Sequence, residues 1–71
     1  MTNIGTITKV TSQPRGFVLT TPAQPGPPPV PSEEIPYLCT ADDLVIVSAA
    51  RSSGATVKIE GTPPACEGVT Y

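Results

Sequence analysis

Apolar and polar positions along this chain fall into short runs punctuated by Pro and Gly, with one longer apolar block in the middle. Thr56-Val57-Lys58-Ile59-Glu60 alternates strictly. Val57 and Ile59 share one face and the three polar side chains share the other, which is the pleat of a half-buried strand. Near the start, Ile4, Ile7 and Val10 recur every third position, a spacing that superficially suits a helix. Gly5 and the threonines at 2, 6, 8 and 11 favour a strand instead, over roughly residues 3 to 11. A bulge near Gly5 would reconcile the spacing with the pleat. Ser12-Gln13-Pro14-Arg15-Gly16 supplies turn chemistry. Phe17 to Thr21 forms the second strand, so the opening elements predict a hairpin with a loop of about four or five residues.

Residues 22–31, PAQPGPPPVP, predict an extended, polyproline-like stretch. Its PxxP spacings, Pro22/Pro25, Pro25/Pro28 and Pro28/Pro31, are those of an SH3-type ligand. No Arg or Lys flanks them closely, and a stiff loop between strands is the simpler reading. Ile35-Pro36-Tyr37-Leu38-Cys39 predicts a short third strand, and Pro36, with no N–H for a ladder, makes it an edge strand or one that starts after the proline. The apolar block Leu44-Val45-Ile46-Val47 has the composition of a buried strand. Its flanks are those of a helix over about 41–52. Thr40 is placed as N-cap with Asp43 three residues on, Asp42 and Asp43 suit the positive helix end, and Arg51 and Gly54 close the other end. Residues 61–68 form a loop with Pro63, Pro64 and Cys66, and Val69-Thr70-Tyr71 begins a last strand.

Composition sharpens this picture. The chain has 71 residues, ten of them Pro and ten Thr, with one Phe, two Tyr and no Trp. Such a chain is one small domain, residues 1–71, whose core must come mainly from Ile, Val and Leu. A domain of this size is marginal unless a disulfide, a metal or a partner subunit supports it. The net charge is −2, and Lys9, Arg15, Arg51 and Lys58 are scattered. That is a poor basis for displacing counterions from nucleic acid, and no polybasic or amphipathic segment suits a membrane surface. The given sequence shows no basic segment followed by an apolar one at its start, so no signal peptide is read from it.

Candidate chemistry is sparse. Cys39 and Cys66 both fall at element ends and are placed to form one disulfide. Such a bridge would contribute about 3 kcal/mol through chain entropy and would imply an oxidising, secretory environment. Two separate thiols, or thiolates on a metal, are the alternatives, and with no His a zinc site lacks ligands. The same lack leaves Cys66 without a base to make it a nucleophile. Asp42 with Asp43, and Glu33 with Glu34, are adjacent pairs whose side chains do not face each other for acid–base work. No enzyme activity, cofactor or metal is therefore expected. The remaining lead is hydroxyl chemistry. Thr6, Thr8, Thr20 and Thr21 on the opening hairpin would present donors and acceptors to a polar ligand, with Thr2 and Thr11 extending the same face. Thr is also simply a good outward strand residue.

GTITKV, GFVLTT, a helix and GATVKIEG, in the order strand, strand, strand, helix, strand, strand, resemble the small five-stranded barrels of the OB-fold. Within that fold, SAARSSGATVKIEGTPPAC, in the stretch from about Leu44 to Cys66, resembles the helix, turn, strand and Cys loop of Shiga-toxin-type B subunits. That resemblance implies a glycan-binding ring of subunits with one disulfide. No site residue of that family is carried over to this chain. The expected protein is a mainly β, five-stranded OB-like barrel with one short helix. It would be a non-enzymatic binding or assembly module, homo-oligomeric, recognising a glycan or a protein partner. A structural component of a phage or secretion particle is the first rival. An OB domain for single-stranded nucleic acid is the second, and it would need stacking aromatics and a basic groove that Phe17, Tyr37, Tyr71 and four scattered cations supply poorly.

Overall fold

The computed structural model describes residues 2–71. Five strands form one antiparallel sheet: β1 (Thr2–Ser12), β2 (Arg15–Thr20), β3 (Glu34–Leu38), β4 (Thr56–Glu60) and β5 (Gly68–Thr70), in the order β3-β2-β1-β4-β5. One helix, α1 (Ala41–Ser53), connects β3 to β4 and packs against β1, β2 and β5. The mainly β class, the strand count and the position of the helix agree with the sequence pattern. The expected barrel is not closed by a ladder. Between the end of β3 and the loop before β5 there is one parallel bridge, Leu38 to Ala65, and the Leu38 N–H donates to the Pro64 carbonyl at 2.8 Å.

The three-residue spacing at the start of β1 has a specific resolution. Ile7 pairs with Leu19 and Lys9 with Val18, so Thr8 is an extra residue in the β1–β2 ladder. That bulge re-phases the pleat and lets Ile7 be buried and Val10 pack against the core. No bulge separates Ile4 from Ile7, and Ile4 faces outward, 52% exposed. The bulge therefore lies at Thr8 and not near Gly5 as the sequence suggested. The hairpin is also tighter than expected: Ser12 pairs with Arg15, leaving Gln13 and Pro14 as the loop. The Thr11 hydroxyl donates to the Pro14 carbonyl at 2.8 Å.

Phe17 and Tyr37 are opposite partners on β2 and β3, and their rings stack with centroids 5.3 Å apart. With Ile7, Leu19, Val57 and Ile59 from the sheet and Val47 and Ala50 from the helix, they make the core. Offset aromatic pairs add about 0.5–1.5 kcal/mol beyond burial, which matters where large side chains are few. The Tyr37 hydroxyl accepts from the Asn3 amide at 2.6 Å, so its polar tip is satisfied.

The helix end signals prevail over the β-branched block. The Asp43 N–H donates to the Thr40 hydroxyl at 3.2 Å, and Gly54 takes φ 71° as a left-handed cap. The Gly54 N–H reaches the Arg51 carbonyl and the Ala55 N–H reaches the Ala50 carbonyl, the paired bonds of a Schellman motif. Of the apolar block only Val47 is buried. Val45 is 71% exposed.

The proline tract is the loop between β2 and β3 that the sequence suggested, but it is not a continuous extended run: it folds back on itself as a hairpin-like arm prolonging β2 and β3. The Thr21 N–H donates to the Glu33 carbonyl, and Gln24 and Val30 exchange both backbone bonds, at 2.8 and 3.0 Å. Residues 22–34 are all exposed. The result is an arm on a molecule about 40 Å long and 20–25 Å across.

Candidate functional site

Strand β1 changes partners at Thr6. Residues 2–6 pair with β4 and residues 6–12 with β2, so Thr6 faces Thr20 on one side and Thr56 on the other. Three threonines thus stand in a row across three strands. Neighbouring strands lie about 4.8 Å apart, so the three side chains stand side by side. The strand exchange requires Gly5. A Cβ there would lie 2.2 Å from the Thr20 carbonyl oxygen, closer than any side chain can approach.

The row lines a cavity of about 270 Å³, bounded by Gly5, Thr6, Thr20, Thr21, Pro22, Ser32 and Thr56. Of the hydroxyls expected from sequence, those of Thr6, Thr20 and Thr21 meet here. Thr8 does not line it. As the bulge residue it sits beside the row, with its hydroxyl 2.9 Å from that of Thr20. Thr21 is committed to Glu33, accepting its N–H at 3.0 Å. Thr6, Thr56 and Ser32 make no side-chain hydrogen bond among the described residues, so their hydroxyls are free to meet a ligand. Thr56 and Ser32 were not singled out in the sequence. Thr56 is legible only as an outward position of β4, and its place beside Thr6 follows from strand pairing.

This cleft is uncharged. Hydroxyls donate and accept, but at neutral pH they neither ionise nor hold a metal strongly. Asp42 and Asp43 lie in the first turn of α1, remote in the chain from the row. Among the described residues no group of three His, Cys, Asp or Glu side chains is gathered in one place.

The expected disulfide is absent: Cys39 and Cys66 are separate, half-buried thiols, not at bonding distance. The parallel bridge at Leu38 and Ala65 brings the two segments together just before the cysteines, and Cys39 lies near enough to Cys66 to help raise its pKa, yet no bond joins them. Thr40 turns the first into α1. The Glu67 N–H donates to the Glu60 carbonyl at 2.8 Å and turns the second into β5. With no bridge, the argument for an oxidising compartment loses its ground. Burial pushes both thiols above their ordinary pKa, and Asp43 adds to the rise in each. They are therefore poor nucleophiles at neutral pH.

A second groove, of about 420 Å³, adjoins the cleft. Thr2, Asn3 and Ile4 of β1 form one wall, and Thr21, Pro22, Gln24, Val30, Pro31 and Glu33 of the arm form the other. The Thr2 hydroxyl donates to Glu60 at 2.7 Å and holds that carboxyl below the usual range.

No family model, curated protein or solved structure matches this chain. The resemblance to Shiga-toxin-type B subunits therefore rests on the residue pattern alone.

Proposed function

We propose that this chain is a non-enzymatic binding module of OB-like architecture that holds a neutral, polyhydroxylated ligand, a glycan, in the threonine cleft. The carrying observation is the row Thr56–Thr6–Thr20, aligned across three strands on the floor of an uncharged cavity. A saccharide exchanges hydroxyl hydrogen bonds with such a surface, and the rigid sheet fixes their spacing before the ligand arrives, which lowers the ordering cost of binding. Three features support the OB reading. The central β1 pairs with both β2 and β4, the helix lies between β3 and β4, and one parallel bridge joins the end of β3 to the segment before β5.

The test is a saccharide array followed by calorimetry on the native chain and on Thr6→Val and Thr56→Val. Val keeps the shape and removes the hydroxyl. The expected result is binding of at least one neutral saccharide, weakened about 5- to 10-fold by each substitution, since a net hydrogen bond is worth about 1 kcal/mol. No binding to the array, or binding indifferent to both substitutions, refutes the proposal. A second reading, as a building block of a larger particle, draws on the arm, whose residues 22–34 are all exposed.

A further inference from the structure

The second groove is continuous with the threonine cleft, because Thr21 and Pro22 line both. Protein sites for small ligands commonly measure about 300–1,000 Å³ and set a few placed polar groups among apolar walls. The cleft, at about 270 Å³, falls just short of that range, and the groove adds about 420 Å³. The two differ in chemistry. The cleft offers hydroxyls, whereas the groove offers carboxamides, with Asn3 on the β1 wall and Gln24 on the arm. A carboxamide both donates and accepts. Both residues are held in place. The Asn3 amide donates to the hydroxyl of the buried Tyr37 at 2.6 Å, which leaves its carbonyl oxygen as an acceptor of fixed direction. Gln24 is anchored through the two backbone bonds it exchanges with Val30, and its side chain makes no hydrogen bond among the described residues. The groove's hydroxyls are already committed, Thr2 to Glu60 and Thr21 to Glu33.

We infer that the site takes a neutral oligosaccharide and not a single sugar, with one unit in the threonine cleft and the next in this groove, where Asn3 and Gln24 bind its hydroxyls. The inference rests on the glycan reading of the cleft and extends it. The shared wall at Thr21 and Pro22 lets one chain run through both depressions without a break. The carboxamides, and not the apolar walls, select the occupant, because a sugar ring presents hydroxyls that can use a donor and an acceptor at each position. Charge selects the class of sugar. No Lys or Arg lines either depression, and Glu33 is the groove's one acidic group, so an anionic chain is repelled and an uncharged one is not. Asn3 and Gln24 are therefore the residues that discriminate by chain length, while Thr6 and Thr56 serve the first unit.

The test is calorimetry of the full chain against neutral oligomers of glucose, galactose and mannose, from the single sugar upward. The expected result is an affinity at least ~10-fold higher for two or more units of one series than for the single sugar. Gln24→Leu and Asn3→Leu each remove about 5-fold from the longer ligand and leave the affinity for the single sugar unchanged, whereas Thr6→Val weakens both. Asn3→Leu also strips Tyr37 of its partner, so a thermal melt checks that variant. Gln24 is exposed, and its substitution keeps the test decisive if Asn3→Leu does not fold. An affinity that is flat with chain length, yet still weakened by Thr6→Val, overturns this inference and leaves the cleft standing. A gain with length that survives both Gln24→Leu and Asn3→Leu overturns it as well. Failure to bind any sugar of any length removes the glycan reading, and this inference with it.

Discussion

Gly5 offers the sharpest test of how this fold is held. Its backbone does not require positive φ, so the substitution Gly5→Ala is conformationally allowed. Restriction of the unfolded chain alone would make Ala stabilising by about 0.4–1 kcal/mol. The contact opposes this. The new Cβ would lie 2.2 Å from the Thr20 carbonyl oxygen, 2.9 Å from its carbon and 3.1 Å from the Thr21 Cα, all backbone atoms that no rotamer change can move. Strands β1 and β2 would have to separate where β1 exchanges partners, and overpacking of this kind costs about 1–3 kcal/mol. Because the clash involves main chain on three atoms, the upper half of that range is expected, and it exceeds the unfolded-state gain. The net loss is about 1–2.6 kcal/mol, a fall in melting temperature of roughly 4–21 °C at 4–8 °C per kcal/mol for a domain this size. Urea unfolding followed by far-UV circular dichroism measures it. Gly68→Ala is the control. Its nearest neighbour would be 3.9 Å away, and its φ is not positive, so it should be neutral or gain up to about 1 kcal/mol. If Gly5→Ala is as stable as Gly68→Ala, the close crossing of β1 and β2 is not what fixes the sheet, and the account of the threonine row fails with it.

Other predictions follow from the same packing. Val47→Ala, at a fully buried helix position, should cost about 2 kcal/mol in urea unfolding, while Val45→Ala on the exposed face should cost almost nothing; equal effects would mean the helix packs by another face. Tyr37→Phe removes the acceptor of the Asn3 amide and should lose about 1 kcal/mol while keeping the stacked pair; an unchanged midpoint would show that water replaces the bond at no cost. Both thiols have raised pKa values in the folded state, so their contribution to stability is complete below the ordinary thiol value, about 8.5, and is lost as pH rises through the folded values. Melting temperature should therefore fall on the alkaline side. The double variant Cys39→Ala, Cys66→Ala should show a shallower fall, and an identical slope would refute the assignment.

The local chemistry of the chain determined a good deal. The strict alternation of residues 56–60 specified β4 and its buried Val57 and Ile59, because a period of two leaves no other face to bury. The caps at Thr40 and Gly54 specified α1 against the β-branched run 44–47, because they satisfy backbone groups that a strand would have left to a partner. Thr6, Thr20 and Thr21 were legible as outward hydroxyls. What needed tertiary structure was every relation between distant segments. The bulge at Thr8 depends on the register with β2, which a single strand's pattern leaves open. The proline tract became a hairpin because Thr21 and Gln24 found backbone partners at Glu33 and Val30, a pairing that composition does not encode. Cys39 and Cys66 were brought near by the bridge at Leu38 and Ala65 but left unbonded, so their spacing in the chain could not decide a disulfide. Thr56 joined the cleft only because β1 exchanges one neighbour for another at Thr6. Residue order sets which side chains face outward along each strand, and only the sheet decides which of them stand side by side.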